Sequence, residues 1–303
     1  MIAFFEWLNQ VKGELAALGA AGLWASASVI YERVGEKIPP LHLNLVKGII
    51  ASVFLVITFL IQGQTLPVLE PFAFWMLVFS GVIGIAVADT ALFAAFNFLG
   101  ARRTLLFKVL TAPTVAVIAM IFLQEKLTAI AWCGIVLTLT GVAWVISERV
   151  ADTATKGRFL VIGIGWATVS TLGDASAAVL SRAALAQNSI DPLWSTFVRL
   201  NSGSLVLLLW MLWQKSAIKL QVLKSKNLFL VIALTAFFST YLGIWLQQVS
   251  LKFAAAGITQ TLSATSPLFI IPIAYWLGEK ISLRAILGVL IALSGVALLF
   301  GVK

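Results

Sequence analysis

A segment that occurs twice constrains this chain more than any other feature. Residues 101–147 read ARRTLLFKVLTAPTVAVIAMIFLQEKLTAIAWCGIVLTLTGVAWVIS, and residues 255–301 read AAGITQTLSATSPLFIIPIAYWLGEKISLRAILGVLIALSGVALLFG. A shift of 154 sets Pro113 on Pro267, Glu125-Lys126 on Glu279-Lys280, Gly134 on Gly288 and Gly141 on Gly295. Four landmarks in one ungapped register mark an internal duplication. Each copy reads as an apolar helix with a central proline, a short charged turn, and a second apolar helix with glycines seven apart.

The solvent these copies fold in follows from hydropathy. The 303 residues are 61% hydrophobic and 11% charged, and the mean hydropathy is +1.03. A soluble domain of that length has no interior able to hide so much apolar side chain. Apolar runs of about 20 residues between short polar turns are bilayer spans. The expected fold is all-α and integral to the membrane. Spans are placed near 15–32, 42–61, 73–98, 103–123, 128–147, 159–185, 193–213, 227–250, 256–277 and 283–301. MIAFFEWLNQVKGE at the start reads as an interfacial lead-in, and QKSAIKLQVLKSKN (214–227) as an interfacial connector with four lysines. Ala25-Ser26-Ala27 resembles a cleavage site, but ASASVI (25–30) is matched by ASAAVL (175–180) deep in the chain, so the first helix is read as retained.

The chain divides into a first repeat (1–147), a polar linker (148–158) and a second repeat (159–303). Ten transmembrane helices in two units of five carry a mechanical consequence. Five is odd, so the second unit enters from the opposite side and the two form an inverted pair. Such pairs support alternating access: the repeats rock while a midplane site faces each side in turn.

The paired pattern of Pro113/Pro267, Glu125-Lys126/Glu279-Lys280, Gly134/Gly288 and Gly141/Gly295 resembles the EamA-type branch of the drug/metabolite transporter superfamily, over nearly the whole chain. The resemblance implies two inverted five-helix bundles around a central cavity. It also implies secondary transport of small metabolites, often export, across a plasma (inner) membrane. The cavity would be lined by the first, third, fourth, sixth, eighth and ninth helices. The fifth and tenth would pack at the periphery, where homodimer contacts form. These motifs do not specify a substrate. Amino-acid-like or other polar or amphipathic solutes lead the candidates, with a multidrug/proton antiporter as the alternative. A non-transporting structural or signalling protein is the alternative from another class.

Charges within spans are the next constraint, because a charge at the bilayer centre costs about 2.5–3.5 kcal/mol on insertion scales. Asp89 and Lys108 flank the turn near Gly100 at depths differing by roughly 5 Å, within reach of a lysine stem. They read either as a pair pinning this hairpin or as a cavity pair for a charged group or a proton. The same depth argument pairs Glu32 or Arg33 with Lys47, and Arg182 or Asp174 with Arg199. Lys47 and Arg199 occupy matching positions, which favours structural ion pairs. Asp174 stands where Trp24 stands in the first half, so the repeats differ at the middle of the expected site.

Pro113 and Pro267 are read as hinges that interrupt the fourth and ninth helices. Thr111, Thr261, Ser263, Thr265 and Ser266 beside them either bond back to the chain or face the substrate. On cavity helices, Trp24, Phe93, Trp166, Tyr241 and Trp245 are candidate path residues, and Gln247 and Gln248 add amides. The recurring glycines permit close helix approach.

Catalytic and cofactor signatures are missing from the sequence. His42 is the single histidine and Cys133 the single cysteine, too few for a metal site or a disulfide framework. GIGWAT (163–168) lacks the third glycine of a dinucleotide site, and no phosphate loop occurs. The net charge of +9 sits mostly in turns, which argues for topology rather than nucleic acid. The expected partners are lipid, a small solute and protons carried on Asp89 or Asp174. Counting basic turn residues puts both termini outside, whereas the resemblance implies cytoplasmic termini.

Overall fold

The computed structural model describes residues 10–35, 38–63, 70–148, 158–186, 188–214, 225–269, 272 and 282–301. Among them every regular element is helical. In chain order the first half comprises α1 (Lys12–Gly35), α2 (Pro40–Gln62), α3 (Pro71–Gly100), α4 (101–122) and α5 (Ala129–Glu148). The second comprises α6 (Arg158–Leu185), α7 (Pro192–Trp213), α8 (Lys226–Phe253), α9 (Ala256–Ser263, with a further turn at 266–269) and α10 (Leu283–Gly301). The lead-in, most of the linker, most of the lysine-bearing connector and the Glu279-Lys280 turn lie outside the described residues.

Local chemistry sets the helix ends. Pro40, Pro71 and Pro192 each sit at a helix start, where the missing N–H costs nothing. Asp191 caps α7 by accepting the Leu193 N–H at 2.7 Å. Gly63 ends α2 and Gly100 joins α3 to α4, both in the left-handed region that favours glycine, with φ of 61° and 75°. Helix α1 runs unbroken through Ala25-Ser26-Ala27 and packs into the bundle.

Six helices are long and apolar enough to cross a membrane: Pro40–Gln62, Pro71–Gly100, Phe159–Leu185, Pro192–Trp213, Lys226–Phe253 and Leu283–Phe300. Phe107–Phe122 and Ala129–Val145 are shorter apolar helices. Large apolar side chains cover the outside; Leu60, Ile61, Phe122 and Trp213 are each at least 75% exposed. That surface suits a hydrocarbon solvent and not water.

The halves pack on each other reciprocally. Helix α1 lies against α8 and α9, and α6 lies against α3 and α4. Likewise α2 meets α8 as α7 meets α3, while α2–α7, α4–α9 and α5–α10 pair like with like. A contact list unchanged by exchanging the halves is the signature of a two-fold relation. The α5–α10 seam shows why the glycines recur. Gly134 faces the Gly295 carbonyl and Leu299, while Gly141 faces the Gly288 carbonyl and Ala292. Here the glycine faces are used within the chain, with the two backbones in close approach.

Candidate functional site

The reciprocal packing leaves a cavity of about 240 Å³ between the halves. Helix α1 contributes Trp24, Ser28 and Tyr31, and α2 contributes Lys47. Helix α3 adds Asp89 and Phe93, α4 adds Lys108 and Thr111, and α6 adds Asp174. Arg199 comes from α7, and Ser239, Thr240 and Gln247 come from α8. Gln260, Ser263, Ser266 and Pro267 come from the α9 region. Every helix but α5 and α10 reaches the wall, so neither half holds the site alone.

Backbone irregularity puts these groups where they are. Helix α3 carries a π segment over Val82–Asp89, and α8 carries one over Phe237–Leu242, at matching positions of the repeat. A π turn widens the helix and disturbs its carbonyl ladder, which tends to happen at functional sites. In each copy a side chain caps a carbonyl of that segment. Asn44 Nδ2 donates to Ile85 O at 2.6 Å, and Trp24 Nε1 donates to Ser239 O at 2.9 Å. Ile85 and Ser239 are related by the same shift of 154.

The prolines act the same way. Helix α4 turns at Leu110, three residues before Pro113, and the α9 region turns at Ala264-Thr265, just before Pro267. Pro267 cannot donate to Ser263 O, and Ser266 Oγ does so instead at 2.8 Å. Thr261 and Thr265 bond back to Gly257 O and Leu262 O at 2.8 and 2.6 Å. Both hydroxyls are thus used within their own helix, and neither residue lines the cavity.

The cavity charges pair differently from the sequence expectation. Lys47 Nζ donates to Asp89 Oδ2 at 2.6 Å, and Lys108 pairs with Asp174. The Asp89–Lys108 pair is therefore replaced by two pairs: α2 to α3 within the first half, and α4 to α6 between halves. The depth estimate took hairpin neighbours and could not foresee that α6 inserts against α3 and α4. Lys47 also stands over the Phe93 ring, 4.9 Å from its centre. Arg182, a proposed partner of Arg199, instead holds Glu125 through Nε at 2.5 Å. Arg199 forms no ion pair among the described residues: its Nε and Nη1 are buried without a hydrogen-bond partner. The side chains of Glu32 and Arg33 lie outside the described residues.

The model of the EamA-like transporter family matches residues 11–147 and again 161–301. The chain belongs to the EamA-like transporter family. A solved structure titled "Crystal structure of protein" superposes with a TM-score of 0.78, covering 95% of this chain and 97% of that one at 15% identity. At that identity the likeness establishes the fold alone. A search of curated proteins returned no match. Members of this family are transporters and not enzymes, and the protein is a membrane protein of that kind.

Of the path candidates, Trp24, Asp89, Phe93, Lys108 and Asp174 converge on the cavity of this EamA-family chain, and so do Lys47 and Arg199. Trp166 does not; it points outward from α6 with 39% exposure. Tyr241 is buried beside Phe54 and bonded to Thr58 Oγ1 at 2.7 Å, and Trp245 packs in the same cluster. All three sit on helices that reach the cavity, but on faces turned away from it; in α8 the π segment over Phe237–Leu242 resets the facing. Tyr31, Ser239, Thr240 and Gln260 were not anticipated. The signal for Ser239 and Thr240 was available in the repeat, since they match Ile85 and Ala86 beside Asp89.

Proposed function

We propose that the protein is a secondary transporter of small organic solutes, working by alternating access between two inverted five-helix EamA repeats that cross a plasma (inner) membrane ten times in all. The observation that carries this reading is the position of the cavity: on the contact between the halves, walled by matching helices from both, with irregular backbone at its lining. Irregular backbone at membrane depth is tolerated where it faces protein or a watered chamber. Rocking one repeat against the other would expose such a chamber to each side in turn. The two acid–base pairs, Lys47–Asp89 and Lys108–Asp174, are the groups that would answer to a proton or a charged solute.

Two measurements test it. Vesicles reconstituted with the protein should take up a cavity-sized solute saturably, at a rate set by its gradient or by a proton gradient. In a Cys133→Ser background, a cysteine at Ser28 should react with an impermeant maleimide from both sides of the membrane. Labelling from one side only, with no flux of any solute tried, would refute the transport reading and favour a structural role.

A further inference from the structure

Charge arithmetic in the cavity carries a more specific conclusion. Among the described residues its wall holds three basic side chains (Lys47, Lys108 and Arg199) and two acidic ones (Asp89 and Asp174). Both acids are committed, Asp89 to Lys47 and Asp174 to Lys108. Arg199 is left over. It is 5% exposed, and its Nε and Nη1, with three N–H donors between them, make no hydrogen bond. Asp89 acts on it only from beyond bonding distance and is already bonded to Lys47, and a guanidinium left without hydrogen bonds at that depth is costly, so a purpose is expected of it.

The duplication explains how it came to be unpaired. Arg199 matches Lys47, and Lys47 is answered by Asp89. The position that matches Asp89 in the second half is Gly243. No acid stands there, and the space is taken by the Trp24 indole, whose Nε1 would lie 2.7 Å from a Cβ at Gly243. The first half supplies a base with its acid; the second supplies a base and an aromatic wall.

We propose that the cavity binds a monoanionic organic carboxylate, with Arg199 as its counter-ion and the apolar part of the solute against Trp24, Phe93 and Ile244. The claim rests on the transport reading for making this a substrate site, and it adds the substrate class. A guanidinium fork matches a carboxylate in geometry, and one negative charge neutralises the wall. Thr111 Oγ1 and Ser263 Oγ, buried without a partner on residues of the cavity wall, would become donors to a solute by turning about χ1, and add no fixed negative charge. A free ammonium group on the solute would meet acids whose charge Lys47 and Lys108 already answer, and would raise the positive excess of the wall. The preferred solutes are therefore acids without a free amine, such as 2-oxo acids, aromatic acids or N-acylated amino acids, ahead of zwitterionic amino acids and well ahead of amines.

The test is equilibrium binding of radiolabelled phenylacetate to the purified full-length protein in detergent. Phenylpyruvate should displace it, phenylalanine should do so less well, and phenethylamine should not. Arg199→Gln should weaken binding about tenfold or more, with Arg199→Lys between it and the parent protein. Binding is read per folded protein, judged by gel filtration in detergent, and Asp89→Asn read in the same way gives a second reading of opposite sign: it frees Lys47 and should tighten the anion. Displacement by phenethylamine or phenylalanine as good as by phenylpyruvate would overturn the proposal. So would preferential displacement by inorganic phosphate, undiminished binding to Arg199→Gln, weaker binding to Asp89→Asn, or no saturable binding at millimolar phenylacetate. Vesicle flux of an uncharged or cationic solute without anion binding overturns this inference alone and leaves transport standing. Anion binding without flux does the reverse.

Discussion

Arg182 and Glu125 form the strongest polar tie between the halves, and cutting it should change which side of the membrane the cavity faces. Arg182 Nε reaches Glu125 Oε1 at 2.5 Å, and its Nη1 donates to the carbonyls of Leu251 and Lys252 at 2.8 and 3.0 Å. Glu125 Oε2 accepts the Ala256 N–H at 3.0 Å. One first-half turn is thereby locked to the end of α6 and to the α8–α9 corner. Arg182 lies eight residues, about 12 Å, beyond Asp174 along α6, so the tie sits towards one face of the bundle. If that face opens by rocking of the repeats, the two bonds that Glu125 makes to the second half must break, while the Arg182 bonds to Leu251 and Lys252 stay within that half. Both side chains are 17% exposed. Partial wetting puts the charged bond near the lower end of its range, so Arg182→Gln should remove about 1.5 kcal/mol from the tied state. That corresponds to a shift of about tenfold in the ratio of the two facings. The assay uses a Cys133→Ser, Ser263→Cys protein in vesicles, with impermeant maleimide applied to each side in turn. Labelling from the face nearer Arg182 should accelerate, while labelling from the other should slow. Rates that stay within about twofold on both sides would refute the idea that this tie opposes opening.

Four further outcomes follow from the geometry. Asp89→Asn strands Lys47 and should destabilise the fold by about 3 kcal/mol, whereas Asp89→Asn with Lys47→Met should recover most of it, as read by unfolding in detergent. Gly243→Ala places a Cβ 2.7 Å from Trp24 Nε1, and the displaced indole should cost about 1–3 kcal/mol and lower solute uptake together. Gly141→Leu wedges α5 from α10 at Ala292 and should lower thermal stability by at least as much, while uptake per folded molecule at a cavity these helices do not line stays unchanged. Trp166→Ala, on the outward face of α6, should leave uptake within error of the parent protein.

The duplication and the membrane class were legible because each depends on spacing along the chain, and Asp89, Lys108, Asp174 and Trp24 were legible as candidates because each lies within a span, but their convergence was not. Helix starts were legible too, since Pro40, Pro71 and Pro192 work locally. Which acid meets which base was not. Asp89 and Lys108 are neighbours across one turn, but partner choice was decided by α6, which arrives from the other half of the sequence and brings Asp174 to Lys108. Facing was equally hidden. A π segment rotates everything beyond it relative to an α-helical projection, so Tyr241 and Trp245 projected to the cavity and sit elsewhere. The hydroxyls around Pro267 had two readings in the sequence, and the freed carbonyl of Ser263 decided for Ser266.

What the two halves share and where they differ do separate jobs. Positions kept in both copies, such as the glycine seam of α5 and α10, the π segments and the proline turns, concern how helices approach and where they yield. A rocking motion between two states needs that sameness, because each face must close with the same set of contacts the other used. A symmetric lining, however, would offer a solute two equal and opposite poses. The differences remove that degeneracy: Asp89 against Gly243, Asp174 against Trp24, Lys108 against Leu262. Each pair has a member on the cavity, and together they give the wall two acids, and an indole against the position where the acid that matches Asp89 would stand. Selectivity should therefore respond to exchanges at these three pairs, and the mechanics of opening to changes at the shared positions. A variant that restores the missing acid at Gly243 makes the separation measurable. Gly243→Asp with Trp24→Ala would answer Arg199 internally, and should abolish anion binding while leaving two-sided labelling of the cavity intact.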